Sequence, residues 1–415
     1  MYPNLYFALY DIFGIDVPFL KLINSFGLMV ALAFVAASMI LSRELRRKEE
    51  EGLLTPETRS IIVGKPATTL EIIGNGLLGF IFGYKFVYLI LNAGTIFQGG
   101  GLPQKHIFSG AGSPFWGIVL GGAFAFWRWY EGKKNALPKP ETKSITFHKY
   151  EYTGSITMYA AFFGILGAKL FHLFENPREF VAFFSNPSLE AFLGGLTIYG
   201  GLIVGALGVW WYARKINIPF IHLADATAPG LMLAYGIGRM GCQISGDGDW
   251  GIPNTNPKPE WLSWLPDWAW AYNYPNNVNA VYGVSPDGYV GKKILESDPW
   301  PIFEGYGTYL DPGVYPTPLY EIIMALIIFA VLWSVRKRIK VPGVLFGLYM
   351  TLNGLERFWI EKIRVNSTYK LLGFEITQAE IISTLMFFGG IALMVYLIRK
   401  NRNEQSSTQG AGSAG

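Results

Sequence analysis

Charge is scarce in this 415-residue chain: Asp, Glu, Lys and Arg together make up 15% of it, against 51% apolar residues. Soluble domains carry about 25% charge, so an ordinary water-facing surface is excluded. Cysteine is nearly absent, with Cys242 alone, which excludes an intrachain disulfide and any site of several cysteine ligands. The four histidines, His106, His148, His172 and His222, are scattered without metal-ligand spacing, so no metal or organic cofactor is implied. The net charge of +4 is modest, and loops between apolar runs account for it, so nucleic acid need not be invoked as a partner. No basic n-region precedes the first apolar run, which argues against a cleaved signal peptide and for a retained anchor.

What the chain has instead is apolar length. Nine apolar runs are visible, near 17–42, 71–92, 114–130, 154–175, 198–213, 223–245, 317–335, 342–363 and 376–398. A helix of about 20 residues crosses a bilayer, and only the third and fifth runs are short and glycine-rich. The pattern predicts an all-α integral membrane protein, a polytopic bundle of about nine transmembrane helices. Arg43, Arg46, Arg47, Lys48, Lys133, Lys134, Arg336, Lys337, Arg338, Arg399 and Lys400 then fall on one side. Cytoplasmic loops hold the excess of Lys and Arg, which predicts an N-terminus outside and a C-terminus inside. Six helices occupy 1–245 and three occupy 317–398. Residues 246–316 between them lie outside, and a loop of that length needs structure of its own, so an outer-face head is expected. Its Trp250, Trp261, Trp264, Trp268, Trp270 and Trp300 suit a peptide groove or an interfacial belt. The inner segments 43–70 and 131–153 read as solvated connections, and 399–415 as a disordered cytoplasmic tail.

Residues 79–130 slide onto 163–214 without a gap at an offset of 84, matching Gly83 with Gly167, Lys85 with Lys169, Pro103 with Pro187, Phe108 with Phe192, Gly117 with Gly201, and Trp127 with Trp211. The second and third helices would then be a copy of the fourth and fifth. Tyr199 aligns with Phe115, so the first copy is expected to be structural.

The chemistry-bearing stretch is Gly238-Arg239-Met240-Gly241-Cys242-Gln243-Ile244-Ser245-Gly246-Asp247-Gly248-Asp249-Trp250-Gly251. It sets an arginine inside an apolar helix, where a charge costs about 2.5 kcal/mol or more. An anionic lipid head group is a fitting reason for it. Topology brings Arg239 to the depth of Arg357, Glu361 and Arg364, which share one helix face. Tyr199, Lys169, His172, Tyr320 and Glu321 fall in the same layer. Plainer roles stand beside these: Lys169 can snorkel, His172 can pack at the interface, Glu361 can merely neutralise an arginine, and Cys242 can allow close helix contact.

These residues carry a family resemblance. The Gly238 to Gly251 stretch resembles the signature of prolipoprotein diacylglyceryl transferases. Gly194-Gly195-Leu196-Thr197-Ile198-Tyr199-Gly200-Gly201-Leu202, Asp225 with Pro229, Pro316 to Glu321, and Gly354 to Arg364 resemble further blocks of that family. Family members commonly have histidine at the positions of Tyr199 and Tyr315, tyrosine at Phe26 and asparagine at Cys242. They also usually lack the second and third helices. The resemblance implies a bacterial inner-membrane enzyme that moves diacylglyceryl from phosphatidylglycerol to the lipobox cysteine of a prolipoprotein signal peptide, releasing glycerol phosphate. Its partners would be these two substrates and membrane lipid.

On that reading Arg239 holds the phosphate, because its planar fork binds phosphate oxygens bidentately, and Arg357 is a second cation or positions the first. Lys169, Gly241, Asp247, Asp249, Glu361 and Arg364 complete the substrate site. A thiol with a pKa near 8.5 needs help to ionise. Tyr199 would accept its proton if neighbouring cations lowered its own pKa, and Asp247, Asp249 and Glu361 are rival acceptors. The competing class is a relative without transfer activity that binds or transports lipid.

Overall fold

The computed structural model describes residues 1–92, 96, 109–185, 195, 197–365, 368–371 and 374–412. All nine apolar runs fall on helices. They are α2 (Ser25–Glu50), α3 (Thr69–Phe82), α4 (Pro114–Lys134), α5 (Thr153–Glu175), α7 (Ile198–Lys215), α8 (Phe220–Ser245), α9 (Thr317–Val335), α10 (Val344–Glu361) and α11 (Gln378–Gly412), with short α1 (Leu5–Phe13) and α6 (Pro177–Ser185) beside them. Helix α3 runs on through a π-helical turn to Leu91. Five of these helices are long and apolar enough to cross a membrane by length and composition: those at Ser25–Glu50, Thr69–Leu91, Lys149–Glu175, Thr317–Val335 and Gln378–Ser406. The first run does not become helical at residue 17. Pro18–Leu22 form a 3₁₀ turn, and Asn24 caps α2 by accepting from Phe26 N at 2.8 Å and Gly27 N at 3.2 Å.

Helix α8 is the centre. Lipid tails are as apolar as leucine, so close backbone approach at small residues holds membrane helices together. Gly230 of α8 lies against Ala37 and Ile40 of α2, Gly241 against Phe26 and Met29 of the same helix, and Gly236 against Ala325 of α9. Helices α10 and α11 meet through Gly347, Gly354 and Gly390.

Two further helix pairs, α3 with α4 and α5 with α7, have contacts that recur at the offset of 84. Gly83 faces the Trp116 carbonyl as Gly167 faces that of Gly200, and Gly121 faces the Gly76 carbonyl as Gly205 faces that of Ala160. Ser113 N donates to Tyr84 O at 2.8 Å as Thr197 N donates to Ala168 O at 3.1 Å. The matches at Pro103, Phe108, Pro187, Phe192 and Gly194 lie outside the described residues.

The segments expected to be solvated connections contain paired strands. β1 (Glu57–Val63) and β2 (Glu141–Phe147) form an antiparallel ribbon with Ser60 opposite Ser144. Their β-branched Thr, Ile and Val favour a pleated backbone, and the same offset of 84 carries Glu57, Thr58, Ser60 and Ile61 onto Glu141, Thr142, Ser144 and Ile145. The chain is mostly helical, as an all-α membrane protein is expected to be, with these short strands outside its long helices. Residues 246–316 hold a three-stranded sheet, β3 (Gly283–Val284), β4 (Val290–Lys293) and β5 (Thr308–Asp311), over a core of Trp250, Tyr274, Tyr289, Leu310 and Val314. Strands β6 (Thr368–Leu371) and β7 (Phe374–Thr377) make a hairpin before α11. That helix continues through the segment expected to be a disordered tail as far as Gly412. The tail's Asn, Glu, Gln and Ser are tolerated in a helix, and Lys400 and Glu404 stand at i, i+4.

Candidate functional site

Helix α8 ends at Ser245 because Gly246 adopts a left-handed conformation with φ of 63°, which glycine enters without steric cost. The chain then turns back across the bundle end. Gly251 N donates to Tyr315 O and Ile252 N to Ile363 O, while Thr317 Oγ1 donates to the Asp249 carbonyl at 2.8 Å. A Cβ on Gly251 would lie 2.4 Å from the Ile363 carbonyl, so only glycine allows this seam between the turn and the end of α10. The seam sets Asp249 over the ends of α8, α9 and α10.

Three guanidinium groups meet there. Arg239 Nη1 donates to Asp249 and its Nε lies 3.1 Å from Glu321 Oε2. Arg364 Nη2 donates to Asp249 Oδ1 at 2.6 Å, and its Nη1 lies 3.3 Å from Glu321 Oε1. Arg357 Nη1 reaches the same Glu321 oxygen at 3.3 Å and its Nη2 reaches Glu361 Oε2 at 2.9 Å. Tyr235 adds a hydrogen bond to Glu321 Oε1 at 2.9 Å. Glu321 has no exposed side-chain surface, whereas Asp249 is 36% exposed. The cluster is thus three cations balanced by Glu321, Glu361 and Asp249, and Asp249 is the counter-ion at the mouth. Glu321 lies in the expected layer but carried no expected role in the site. Its signal was an acid in the first turns of an otherwise uncharged apolar run, three residues after Pro318.

The other expected residues are placed as follows. Tyr199 sits at the start of α7, with Arg357, Glu361 and Arg364 as its charged neighbours. Lys169 is buried in α5, one residue after the Ala168 carbonyl that receives Thr197 N, which sets it level with the start of α7. Gly241 faces α2 rather than the arginines, so its missing side chain serves helix packing. Gly238, by contrast, has open space where a Cβ would stand. His172 is paired with Glu179 at 2.8 Å on the surface.

Asp247 differs from Asp249 in having no ion pair among the described residues; its Oδ1 accepts Asp249 N at 3.3 Å, and the Cys242 thiol is its side-chain neighbour. Burial, and then the neighbouring Asp249 charge, push its carboxyl above the ordinary range. Burial acts the same way on Asp249, but Arg364 and Arg239 outweigh it and hold that carboxyl below the ordinary range. Cys242 Sγ and the two aspartates bring ligand atoms within 4.8 Å of one another. A metal ion there would compete with Arg239 and Arg364 for Asp249, whose two oxygens already serve these guanidiniums.

A mostly helical chain with apolar membrane-length helices, whose buried arginines converge at one end with Asp249 as their one solvent-open counter-ion among the described residues, defines a membrane protein with a cationic centre at that end. Residues 130–396 match the family Prolipoprotein diacylglyceryl transferase, and the chain belongs to it. Relatives named phosphatidylglycerol–prolipoprotein diacylglyceryl transferase include one from Corynebacterium glutamicum, 31% identical over 243 residues, 58% of this chain and 67% of the relative. The protein of that name from Frankia alni is 30% identical over 54% of this chain and 49% of its own. A second enzyme of Streptomyces coelicolor is 27% identical over 63% and 71%. The chain therefore spans between about half and about two thirds of the length of most of these relatives.

Proposed function

We infer that this protein is a transferase of lipoprotein biosynthesis, moving a diacylglyceryl group from phosphatidylglycerol to the lipobox cysteine of a prolipoprotein. Family membership and the relatives' shared name support the reaction, and the observation that carries the site is the convergence of Arg239, Arg357 and Arg364 on Glu321 beside a half-open Asp249. The phospholipid's phosphate takes Asp249's place on Arg239 and Arg364, while Glu321 and Glu361 stay behind to hold the guanidiniums in register. The cysteine sulfur then attacks the glycerol carbon that bears the phosphate. A carbon–sulfur bond forms, the carbon–oxygen bond to phosphate breaks, and glycerol phosphate leaves with the electron pair. Arginines aimed at the departing oxygens stabilise that charge, an effect worth about 10²–10³ in rate for one well-placed donor.

The thiol proton needs an acceptor. Asp249 and Glu361 are already matched to arginines, which leaves Asp247 and Tyr199. The nine helices all cross the bilayer, with the N-terminus and the head of residues 246–316 outside, and the enzyme lies in the bacterial inner membrane. The recurring contacts make β1-α3-α4 and β2-α5-α7 two copies of one unit, the first of them structural. Incubation of the purified protein with phosphatidylglycerol and a lipobox peptide yields a thioether-linked diacylglyceryl peptide. Absence of that product, under conditions where a known transferase of the family works, refutes the reading in favour of lipid binding without transfer.

A further inference from the structure

At the other end of α8, about 25 Å from Arg239 by the rise of 1.5 Å per residue, lies a second polar site that the transfer reaction does not use. It is a cavity of about 400 Å³ lined by Arg47, Lys48 and Glu51 at the end of α2, His222 and Asp225 in the first turns of α8, and Lys340 in the turn between α9 and α10. Volumes of this order suit small ligands or head groups.

The donors of this cavity are poorly matched to their acceptors. Lys48 is 5% exposed, yet its closest anionic atom is Asp225 Oδ2 at 3.9 Å. Asp225 has given both oxygens to the start of α10: Oδ2 accepts Gly343 N at 2.7 Å and Oδ1 accepts Phe346 N at 2.9 Å. His222, one turn before Asp225 on the same face of α8, has a buried Nδ1 with no hydrogen-bond partner among the described residues. Arg47 is held by Glu44 and Glu51, both at 2.8 Å. Lys340 stands exposed at the rim with no ion pair among the described residues. A buried ammonium and a buried ring nitrogen that lack close partners are expensive unless something else satisfies them. The lining also carries a net positive charge, three fixed cations against Glu51 and Asp225.

We propose that this cavity binds a phosphate group, held by Lys48, Lys340 and His222. Basic pockets between helix ends are where membrane proteins take the head groups of anionic lipids, and the same donors would take a free phosphate. The site is independent of the arginine cluster and of the transfer reaction.

Lysine acetylation read by mass spectrometry tests it locally, with exposed Lys133 as the internal reference. In the full-length protein in detergent, inorganic phosphate at ten times its dissociation constant slows acetylation of Lys48 and Lys340 about tenfold, by occupancy alone, and leaves Lys133 unchanged. If the source is a lipid, phosphate fails but nanodiscs of phosphatidylglycerol protect both lysines relative to nanodiscs of phosphatidylcholine. Either pattern supports the site and names its source. Lys48 is buried beside Asp225, where a substitution also acts on folding, so the rim variant Lys340→Gln carries the test: it weakens phosphate affinity about tenfold, the scale of one charge-assisted hydrogen bond, and protection of Lys48 at the same phosphate concentration falls from about tenfold to about twofold. Equal labelling in every medium, equal slowing of Lys133, or undiminished protection in Lys340→Gln overturns the proposal.

Discussion

Glu321 holds the arginine site together from beneath, and its replacement separates structure from chemistry. Glu321→Gln strips a fully buried carboxylate from three guanidiniums, and unpairing a buried charge costs about 3–5 kcal/mol. The expected result is a lower unfolding temperature together with lost transfer. Arg239→Lys keeps the charge but loses the planar fork; its transfer rate falls about 10²-fold or more while the protein still elutes as a folded species. For the proton, the two remaining acceptors predict opposite patterns. Replacing the true base lowers kcat by about 10²-fold or more, and replacing the bystander leaves it near the parent value, so Asp247→Asn and Tyr199→Phe assayed side by side decide between them. Asp249 governs acid behaviour. Its folded pKa lies below the unfolded value of about 3.9, so its stabilising contribution is complete above that value and disappears as pH falls through the lower folded one. Asp249→Asn lacks this contribution at every pH and flattens the acid limb of a stability profile.

Most of this cluster was legible in the sequence for one reason: a permanent charge in an apolar helix is expensive enough to demand an explanation. That rule found Arg239, Arg357, Arg364 and Glu361, but α10 ends at Glu361, so Arg364 lies beyond the helix, in a bridge with Gly251, rather than on the face its spacing shares with Arg357 and Glu361. It did not assign Glu321, because an acid near a helix end can also meet water, and only the packing of α9 against α8 and α10 removes that option. Gly241 was read as part of the substrate site because glycines near a charge suggest close ligand approach; which side of the helix it occupies depends on where α2 packs.

Among the elements, the seam at Gly251 is the least tolerant. Gly251→Ala would drive a methyl against the Ile363 carbonyl, and overpacking of this kind costs about 1–3 kcal/mol. It also shifts Asp249 relative to Arg364, so transfer falls even where the fold survives. The helix pairs make a matched comparison. If only the second copy serves the site, Gly167→Val, which parts α5 from α7, lowers activity per folded molecule at least about tenfold, whereas Gly83→Val in the first copy leaves it close to the parent. The apolar runs announced the helices plainly, but β1 and β2 escaped notice. Each is seven residues long and finds its partner only after two helices have intervened, and short alternating segments with no nearby mate carry a weak signal.

For the whole molecule, the proposed orientation puts the head and the arginine site outside and the phosphate cavity with the ribbon inside. In a Cys242→Ala background, a membrane-impermeant maleimide is expected to label Ser285→Cys in intact cells and Ser144→Cys only after permeabilisation. The reverse pattern would invert the bundle and move the site to the wrong face for secreted substrates. Lys and Arg placement argues this orientation from sequence alone, whereas the structure contributes the separation of two polar centres to opposite ends of one helix.

The ribbon has a further consequence. Ser60 faces Ser144, and these two residues are also counterparts under the 84-residue shift, so the hairpinless pair has a local dyad at its midpoint. Each strand is in effect complementary to itself. A shortened descendant that dropped either unit would leave an orphan edge, and such edges recruit whatever strand is at hand; the readiest match would be the same segment of a neighbouring molecule, turning an internal handshake into a homodimer.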